Sequence, residues 1–349
     1  MAFKILNSDL VAMYELEQFE SLIWTDRYID CGDFEIYTPA SEEILNNIHI
    51  GDFLFSTDVY NSEAQTAELM IVETAEITTT FESGVKIKYT GRNLKSILDR
   101  RIVWDRTTFP AGTSTYTVIK QLITQNVTNP SISYRKIPEF RFIEVSGITW
   151  PTLSEDFTPT GSILLDPINQ VCKQYELGYE TYIDFGTSTI NFKMIVPTDR
   201  TYDQTKVPPV MFSPKLENLA KSNYMESSVT EKNVILVADE GDEEDRIIAI
   251  GGSTTASGLD RKEMYASISN LEWEGDRTKY ISLMRQKGNE ELLKNQYTEV
   301  FDGETDDGRG YIYGHDYKIG DIVELQNEFG FNGQARLTEM ILSKNCIPF

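Results

Sequence analysis

The chain has 349 residues, of which 55 are acidic and 32 are basic, giving a formal net charge of -23. Because a nucleic-acid-binding protein needs a cationic surface, this charge argues against stable binding to DNA or to an anionic membrane. A content of 40% hydrophobic and 11% aromatic residues predicts a folded protein, and the length predicts two or three domains.

The first predicted unit covers residues 1–105. Short apolar and aromatic runs, separated by one or two polar residues, predict a meander of strands rather than helices. These runs lie at residues 11–37, 53–55, 69–77 and 85–89. Gly91 is predicted to end the last strand, and Asn93 to cap a short helix with Leu94 and Leu98 on its apolar side. We therefore predict a first small β-barrel domain closed by a helix.

The second predicted unit covers residues 106–217 and mixes helices with strands. The apolar positions from Tyr116 to Ile123 predict a helix, and the Pro-containing stretch 130–159 predicts irregular structure. The alternating segments 179–185 and 189–196 then predict a hairpin. We expect an α+β middle domain, part of which could complete the first barrel.

The helix with the clearest signals lies in this middle unit. Asp166 is predicted to cap it, Pro167 fits its first turn, and Gly178 is expected to end it. Its apolar face consists of Ile168, Val171, Cys172 and Tyr175.

The third predicted unit covers residues 218–349. Two apolar strands, Val234–Val237 and Ile247–Ile250, are joined by an acidic link and predict a hairpin. A further apolar run, Met264–Trp273, precedes a long amphipathic helix at 278–299. We predict a second small β-barrel domain with this helix inserted.

Turn signals and a glycine complete this C-terminal unit. Gly288 is expected to interrupt the long helix without ending it. The last two or three strands are expected around a Gly-Asp turn and a Gly-Phe-Asn-Gly turn. The predicted fold class is therefore α+β, mainly β, with two small β-barrel domains and an α+β middle region.

The histidines offer no catalytic centre. A nucleophilic triad needs a histidine that shuttles a proton, and the chain has only His49 and His315. Neither lies in a nucleophile elbow or beside a Cys-His signature, so both are expected on surface loops. The same shortage of ligands argues against a histidine-based metal site.

The three cysteines, Cys31, Cys172 and Cys346, are widely spaced and odd in number. The absence of a C-x-x-C pair argues against a disulfide framework or a zinc site and predicts three packed, reduced thiols. The N-terminal twenty residues lack both a long apolar core and a small-residue cleavage site. We therefore expect neither a signal peptide nor a membrane anchor, and synthesis in a cytoplasm.

Acidic residues form two dense clusters. The first consists of Asp239, Glu240, Asp242, Glu243, Glu244 and Asp245, and the second of Asp302, Glu304, Asp306 and Asp307. Neither follows the order of a calcium-binding loop, so the first is expected to be a solvated hairpin tip and the second mainly a turn. An acid/base pair of carboxylates cannot be located in so acidic a chain. We therefore assign no catalytic, cofactor-binding or metal-binding residue.

Two glycine-rich stretches, 251–258 and 308–314, could suggest phosphate binding. Both lack the lysine followed by Ser or Thr and the strand-to-helix setting of a phosphate loop. They are expected to be flexible connections, and no cofactor is predicted.

Three stretches of the sequence together resemble one family. They are the opening meander with Trp24, Arg27, Tyr28 and GDFE at 32–35, TGRNL at 90–94, and YGHDYKIGDIV at 313–323. Their order and spacing are similar to those of the siphophage tail proteins that form the hub beneath the tail tube. The helix leading into a Tyr-rich strand around 164–178 resembles this family too, so the similarity spans nearly the whole chain.

The resemblance implies a structural, non-enzymatic tail hub protein located at the tail tip or baseplate of the virion. Three chains, each supplying two small barrels, would form a pseudo-sixfold ring around the DNA ejection channel. The implied partners are two further copies of the chain, the distal tail or tail tube ring protein, the tape-measure protein, and tip fibre or receptor-binding proteins. Synthesis would take place in the host cytoplasm.

Two other functions remain open at this point. A receptor- or carbohydrate-binding tail protein could use its aromatic residues as stacking platforms, although packing in the core is the more common role of such side chains. The aromatic residues considered are Trp24, Tyr28, Trp104 and Trp150. A tail-associated cell-wall hydrolase could use a pair of carboxylates that the sequence does not reveal.

Overall fold

The computed structural model describes residues 2–56, 65–80, 84–219, 221–240, 246–269, 271, 273, 275–304, 310–328 and 332–345. This part of the chain is mainly β, which confirms the predicted fold class. The strands are β1 (Phe3–Leu6), β2 (Ala12–Leu16), β3 (Ser21–Arg27), β4 (Asp33–Pro39), β5 (Phe53–Ser56), β6 (Thr66–Ala67), β7 (Met70–Thr80), β8 (Gly84–Asn93), β9 (Phe140–Ile143), β10 (Gly178–Asp184), β11 (Thr189–Ile195), β12 (Met211–Phe212), β13 (Lys221–Ser227), β14 (Val234–Ala238), β15 (Ile248–Gly252), β16 (Glu263–Ser267), β17 (Thr298–Glu304), β18 (Ile322–Gln326), β19 (Asn332–Arg336) and β20 (Glu339–Asn345). The α-helices are α1 (Glu42–Asn47), α2 (Thr115–Ile123), α3 (Leu165–Gln174) and α4 (Arg277–Leu293).

An eight-stranded sheet forms the first part of the fold, in the order β2-β1-β5-β7-β8-β4-β3-β20. Neighbouring strands are antiparallel throughout. The last of these, β20, pairs with β3 from Glu339 opposite Arg27 to Asn345 opposite Ser21. The sheet therefore joins residues from both ends of the chain.

This sheet is strongly curled. β1 and β3 are five places apart in the strand order, yet the rings of Phe3 and Trp24 stack with centroids 5.9 Å apart. Phe19 also contacts Phe3 edge-on, with ring centroids 5.5 Å apart. Such curvature is what a small barrel requires. Closure of the two barrels and the three-domain division stay predictions.

Gly91 lies inside β8 and does not end it, contrary to the prediction from sequence. The pairing of β8 with β7 shifts at a bulge between Val72 and Thr74. A Cβ atom at residue 91 would lie 1.7 Å from the carbonyl oxygen of Ile71. Glycine is therefore required here by the close approach of the neighbouring backbone, and β8 continues to Asn93.

The two faces of the eight-stranded sheet bury separate cores. The inner core contains Phe3, Ile5, Leu22, Trp24, Phe34, Ile36, Met70, Val72, Ile87 and Tyr89. The outer core joins Leu6, Phe55 and Ile71 to Val118, Leu122, Ile168, Val171, Tyr179 and Phe192 of the middle region. Since a fully buried Phe or Ile contributes about 1.5–3 kcal/mol, the middle region is held firmly on the back of the first sheet.

The middle region contains a four-stranded sheet in the order β6-β10-β11-β9, with α2 and α3 packed nearby. The predicted hairpin is confirmed, because β10 and β11 pair antiparallel from Gly178 opposite Ile195 to Asp184 opposite Thr189. The predicted helix from Tyr116 to Ile123 is confirmed as α2.

The ends of α3 differ from those predicted. α3 begins at Leu165, so Asp166 lies in its first turn and does not cap it. Burial of Leu164 and Leu165 in the core fixes this start in place of a capping side chain. At the other end, Glu176 adopts the left-handed conformation with φ 55°, and Gly178 already begins β10.

The C-terminal part contains three small sheets among the described residues, namely β12-β18-β19, β13-β17 and β15-β14-β16. β14 and β15 pair antiparallel, which confirms the predicted hairpin. The predicted helix is α4, capped by the Asp276 side chain, and it ends at Leu293 rather than at 299 because the chain turns into β17 at Thr298. Gly288 lets α4 approach β14, since a Cβ atom there would lie 2.5 Å from Cγ2 of Val237.

Two polar stretches are more ordered than predicted. Asp302 and Glu304, expected in a turn, lie in β17, which pairs along its length with β13. Gly251 and Gly252, expected in a flexible connection, end β15 beneath α4, where a Cβ at 252 would lie 2.7 Å from Cδ1 of Leu292. Residues 241–245 of the predicted acidic hairpin tip, the acidic residues Asp306 and Asp307, Gly330 and Phe331 of the Gly-Phe-Asn-Gly turn, and Cys346 lie outside the described residues.

Candidate functional site around Tyr28

Two of the three stretches that carry the family resemblance meet at the side chain of Tyr28, directly after β3. The third contacts the turn that follows, where the backbone N–H of Asn93 donates to the carbonyl of Gly32 at 2.9 Å. We call this region the Tyr28 junction. The Tyr28 ring is buried between Gly178 at the start of β10 and Gly320 ahead of β18. A Cβ atom at either glycine would lie 2.5 Å from Cε2 of the ring. One aromatic side chain therefore fills the space between the first sheet, the middle region and the C-terminal part.

The C-terminal part approaches Tyr28 from two further directions. The Arg336 guanidinium lies 5.4 Å from the centroid of the Tyr28 ring, within the range of a cation–π contact. The backbone N–H of Tyr28 donates to the carbonyl of Thr338 at 3.0 Å. These contacts extend the pairing of β3 with β20 to the turn that follows β3.

Arg27 ties the turn after β3 to β20. Its Nη1 pairs with the Asp33 carboxylate and donates to the carbonyl of Cys31 at 2.9 Å, while Nε donates to Glu339 Oε2 at 2.6 Å. The guanidinium thus joins both ends of the chain through charge-assisted hydrogen bonds, which are stronger than neutral ones.

A buried lysine supports the same turn from below. Lys95, in the short 3₁₀ helix Leu94–Arg100, has a side chain only 3% exposed. Its Nζ donates to the carbonyls of Arg27 at 2.6 Å and Tyr28 at 3.0 Å, and lies 5.2 Å from the centroid of the Tyr179 ring. The partners of the buried Lys95 Nζ are therefore two carbonyls and an aromatic face.

Two carboxylates and a phenol form the acidic side of the junction. Tyr313 donates to Asp26 Oδ2 at 2.5 Å, and Asn93 Nδ2 donates to Glu68 Oε1 at 3.0 Å. Burial, followed by the charge of Asp26, raises the pKa of Glu68 to about 8. Burial and the Asp26 carboxylate also raise the pKa of the Tyr313 phenol far above its usual value. Both shifts favour the protonated form of the group.

The middle region is bonded to the turn after β3 through Tyr179. Its hydroxyl lies 2.9 Å from the carbonyl of Ile29 and 2.8 Å from Asn169 Oδ1. Lys173 of α3 pairs with Asp30 of the same turn at 3.3 Å. Every segment of the junction is thus held by hydrogen bonds as well as by packing.

The described cysteines and histidines lie in contrasting environments. Burial raises the pKa of the Cys31 thiol to about 11 and that of Cys172 to about 12, so neither is a thiolate nucleophile at neutral pH. Both are unpaired, as predicted. His49 and His315 lie far out on surface loops, with side chains 63% and 80% exposed, as predicted. Within the described residues, no group of three or more His, Cys, Asp or Glu side chains is placed to hold a metal ion.

None of the helices in the described part of the chain is both long and apolar enough to cross a membrane.

The aromatic residues considered as binding platforms have different environments. Trp24 and Tyr28 are buried in the cores, and Trp150 is half-buried and stacks on Tyr116 at 5.1 Å between ring centroids. Trp104 is 52% exposed, so its expected place in a core is wrong. It follows the 3₁₀ helix, where the chain leaves the outer core toward the surface.

The outer face of the β15-β14-β16 sheet is apolar and exposed, a feature that the sequence analysis missed. Leu236 lies opposite Ile250 on one side and Tyr265 on the other, and Ile248 lies next to them. These side chains are 38% to 58% exposed, while Ile235 and Val237 point to α4 and are buried. We call this row of four residues the apolar sheet face. Patches of this kind mark surfaces that contact other proteins.

Comparison with known proteins gives a family and a fold. The model of the family described as Siphovirus ReqiPepy6 Gp37-like protein matches residues 2–342. The structure is similar to that of a tail protein from Neisseria meningitidis MC58, with 12% identity and a TM-score of 0.53 over 99% of this chain and 92% of that chain. It is also similar to the 43 kDa tail protein of prophage MuSo2 from Shewanella oneidensis, with 10% identity and a TM-score of 0.56 over 99% of this chain and 95% of that chain. No curated protein matches the sequence.

Proposed function

We propose a structural role in a phage tail for this chain, which belongs to the family described as Siphovirus ReqiPepy6 Gp37-like protein. The resemblance to siphophage proteins noted in the sequence is thereby confirmed. The observation that carries the proposal is the extent of the match. The family model covers residues 2–342, and the fold is shared with two phage-type tail proteins over 99% of this chain. The whole chain, rather than one domain of it, is therefore assigned to the tail.

Within the tail, the proposed position is the hub at the tip. Three copies would form a ring that joins the tail tube or the distal tail ring to the tip and surrounds the DNA ejection channel. Its proposed neighbours are the tape-measure protein and the tip fibre or receptor-binding proteins. The apolar sheet face supports such association, because an exposed row of Leu, Ile and Tyr side chains is stabilised by burial against another chain.

The Tyr28 junction supports a mechanical role. A component that transmits force between tube and tip must keep its own segments together. Here Arg27, Tyr28 and Lys95 bond the first sheet to the middle and C-terminal parts, with both ends of the chain in one sheet. Force applied at either part would therefore be resisted by paired strands and buried side chains.

The net charge of -23 suits a channel through which DNA passes. Binding to the phosphate backbone needs cationic side chains that displace counterions. A lumen lined mainly by carboxylates would let DNA move without adhering to the wall.

The other two functions have less support. Trp24 and Tyr28 are buried, so a carbohydrate could not stack on their rings. This weakens the case for a receptor-binding protein. Burial keeps the Cys31 and Cys172 thiols protonated at neutral pH, which weakens the case for a cell-wall hydrolase that uses a cysteine nucleophile.

Labelling of assembled particles tests this function. An antibody to the chain, viewed by electron microscopy on tailed particles of the encoding phage, is expected to label the end of the tail away from the capsid. An antibody to the capsid protein serves as the control for label position. Labelling along the tube, on the capsid, or of no particle at all would contradict the proposal.

A further inference from the structure

A group of arginine and aromatic side chains forms an open cavity on the middle region. Its lining consists of Arg100, Arg101, Ile102, Trp104, Tyr134 and Arg135, and its volume is about 250 Å³. We call this cavity the arginine site. It lies outside the Tyr28 junction and contributes nothing to the contacts described there.

Backbone carbonyls, rather than carboxylates, hold Arg101 and Arg135 in place. Arg101 Nε donates to the carbonyl of Arg135 at 3.2 Å, and Arg135 Nη2 donates to the carbonyl of Ile102 at 2.8 Å. The Arg135 guanidinium also stacks over the Trp104 ring, 4.9 Å from its centroid. The positive charges are therefore positioned but not neutralised.

No ion pair to Arg100, Arg101 or Arg135 occurs within the described residues. Burial, then the charges of Arg135 and Arg100, lower the pKa of Arg101, as expected for a like-charge cluster without a facing carboxylate. Arg135 Nη1 is buried and has no hydrogen-bond partner in the described structure. A buried N–H group without an acceptor and like charges without a counter-charge both cost free energy, although the chain as a whole carries a net charge of -23. A bound carboxylate would remove that cost.

The site also presents apolar surface next to its charges. Trp104 and Tyr134 are 52% and 86% exposed. Ile102 and Ile163 are also more than 40% exposed, and their backbones form an isolated β-bridge. Trp, Tyr and Arg are the residues that contribute most at protein interfaces. The surface therefore fits a partner that combines carboxylates with apolar side chains.

One segment of this chain has that combination. The acidic link, residues 239–245, has six carboxylate residues among its seven. In the sequence it joins β14 to β15, the strands that carry Leu236, Ile248 and Ile250 of the apolar sheet face. Helix α4 packs on the opposite face of that sheet. Two hydrogen bonds join α4 to the middle region, one from the Thr158 N–H to Gln286 and one from the Asn289 side chain to Glu155. The apolar sheet face thus points away from the middle region of its own chain.

We infer that the arginine site receives the acidic link of a neighbouring copy of this chain, with the two apolar surfaces packed beside the charges. The contact would join two different surfaces, one from each copy. Repeating such a head-to-tail contact gives a closed ring when the rotation from one copy to the next is a whole fraction of a turn. The guanidinium groups of Arg100 and Arg101 would donate hydrogen bonds to the link carboxylates, and Trp104 and Tyr134 would cover the apolar row. This inference rests on the self-association proposed above.

Binding of a synthetic peptide to the full chain tests the site directly. The peptide covers residues 236–247, LVADEGDEEDRI. We expect saturable binding that weakens at least tenfold in the variant Arg100→Gln/Arg101→Gln and falls with added salt. Arg277→Gln, an exposed arginine at the start of α4, is the matched control and should bind as the unchanged chain does.

Two competing ligands sharpen the test. A peptide with every Asp and Glu replaced by Asn and Gln should not bind, and a single-stranded DNA of equal charge should bind at least tenfold more weakly than the acidic peptide. No binding of the acidic peptide, binding unchanged by Arg100→Gln/Arg101→Gln, or stronger binding of the DNA would each overturn the inference.

Charge exchange in the whole chain separates this inference from the proposed function. Arg100→Glu/Arg101→Glu should reduce self-association at least tenfold, and adding Glu243→Lys/Glu244→Lys should restore it. Unreduced assembly in the first variant would overturn the inference while leaving the ring intact. A chain that stays monomeric without any substitution would contradict the proposed function, and the peptide titration would still decide whether the site binds the link.

Discussion

Replacing Gly320 with alanine should destabilise the protein through contact with Tyr28, and removing the Tyr28 ring should relieve that contact. A Cβ atom at residue 320 would lie 2.5 Å from Cε2 and 2.6 Å from Cδ2 of the ring. The ring cannot retreat, because Gly178 lies against it as closely. Residue 320 also has a φ of +91°, a conformation that an L side chain rarely adopts.

The magnitude follows from two separate costs. The unfavourable φ costs alanine about 1 kcal/mol, and the overlap with the ring costs about 1–3 kcal/mol. Gly320→Ala should therefore lower the free energy of unfolding by about 2–4 kcal/mol. Tyr28→Ala should lower it by about 3–5 kcal/mol through the lost aromatic packing. In the double variant the overlap disappears, so its loss should be about 1–3 kcal/mol smaller than the sum of the single losses.

Urea unfolding of the four proteins, followed by circular dichroism, measures this coupling. Gly112→Ala is the matched control, since Gly112 has a φ of +83° and nothing within 4 Å of its Cβ position. It should show only the conformational cost and should be additive with Tyr28→Ala. Equal losses for Gly112→Ala and Gly320→Ala, with a coupling below about 0.5 kcal/mol, would refute the packing of Tyr28 against Gly320.

Three further predictions concern buried groups. The buried hydroxyl of Tyr28 has no hydrogen-bond partner within the described residues, so Tyr28→Phe should leave the free energy of unfolding unchanged or raise it by about 1 kcal/mol; a loss in urea unfolding would show a missing partner. Burial raises the pKa of Glu68 from 4.5 to about 8, so between these pH values the folded state binds a proton that the unfolded state has lost. The free energy of unfolding should therefore fall as the pH rises from 4.5 to 8, by at most about 1.4 kcal/mol per pH unit. Glu68→Gln cannot ionise and should lack this fall, and parallel pH profiles for the two proteins would contradict the assignment. Replacing a glycine inside a helix with alanine usually stabilises a protein by about 0.5–1 kcal/mol. Gly288→Ala should instead lower the melting temperature, because its Cβ would lie 2.5 Å from Cγ2 of Val237. A higher melting temperature would contradict the packing of α4 on β14.

Local features of the fold could be predicted because their signals are local. The hairpins of β10 with β11 and β14 with β15 follow from alternating apolar residues around a polar connection. Helix α2 follows from apolar residues at helical spacing. The pairing of β20 with β3 joins residues more than 300 positions apart, and no local pattern specifies it.

The errors also have local causes. Gly91 suggested the end of a strand and Gly252 a flexible connection, because glycine favours turns. Each glycine is instead needed where another backbone or a helix approaches closely. Asp166 suggested a cap, although buried leucines fix the start of α3. In each case packing from a distant part of the chain overrides the local preference.

The candidate site was only partly foreseeable. Tyr28, Gly320 and Arg27 were singled out through the resemblance, but their convergence depends on the three-dimensional fold. Lys95 and Glu68 gave no signal, because a charged residue in a short polar segment is usually exposed. The burial of Lys95 depends on the packing of the turn after β3 over the 3₁₀ helix, and the partial burial of Glu68 accompanies its hydrogen bond with Asn93.

The mass of the purified chain in solution tests the central claim most directly. Native mass spectrometry and light scattering, over a range of concentrations and with the neighbouring tail ring protein added, should show a trimer. Leu236→Lys on the apolar sheet face should shift the mass to that of a monomer, whereas Leu259→Lys, at a fully exposed leucine, should not. A stable monomer under all these conditions, or a trimer unaffected by Leu236→Lys, would contradict a hub ring assembled through this face.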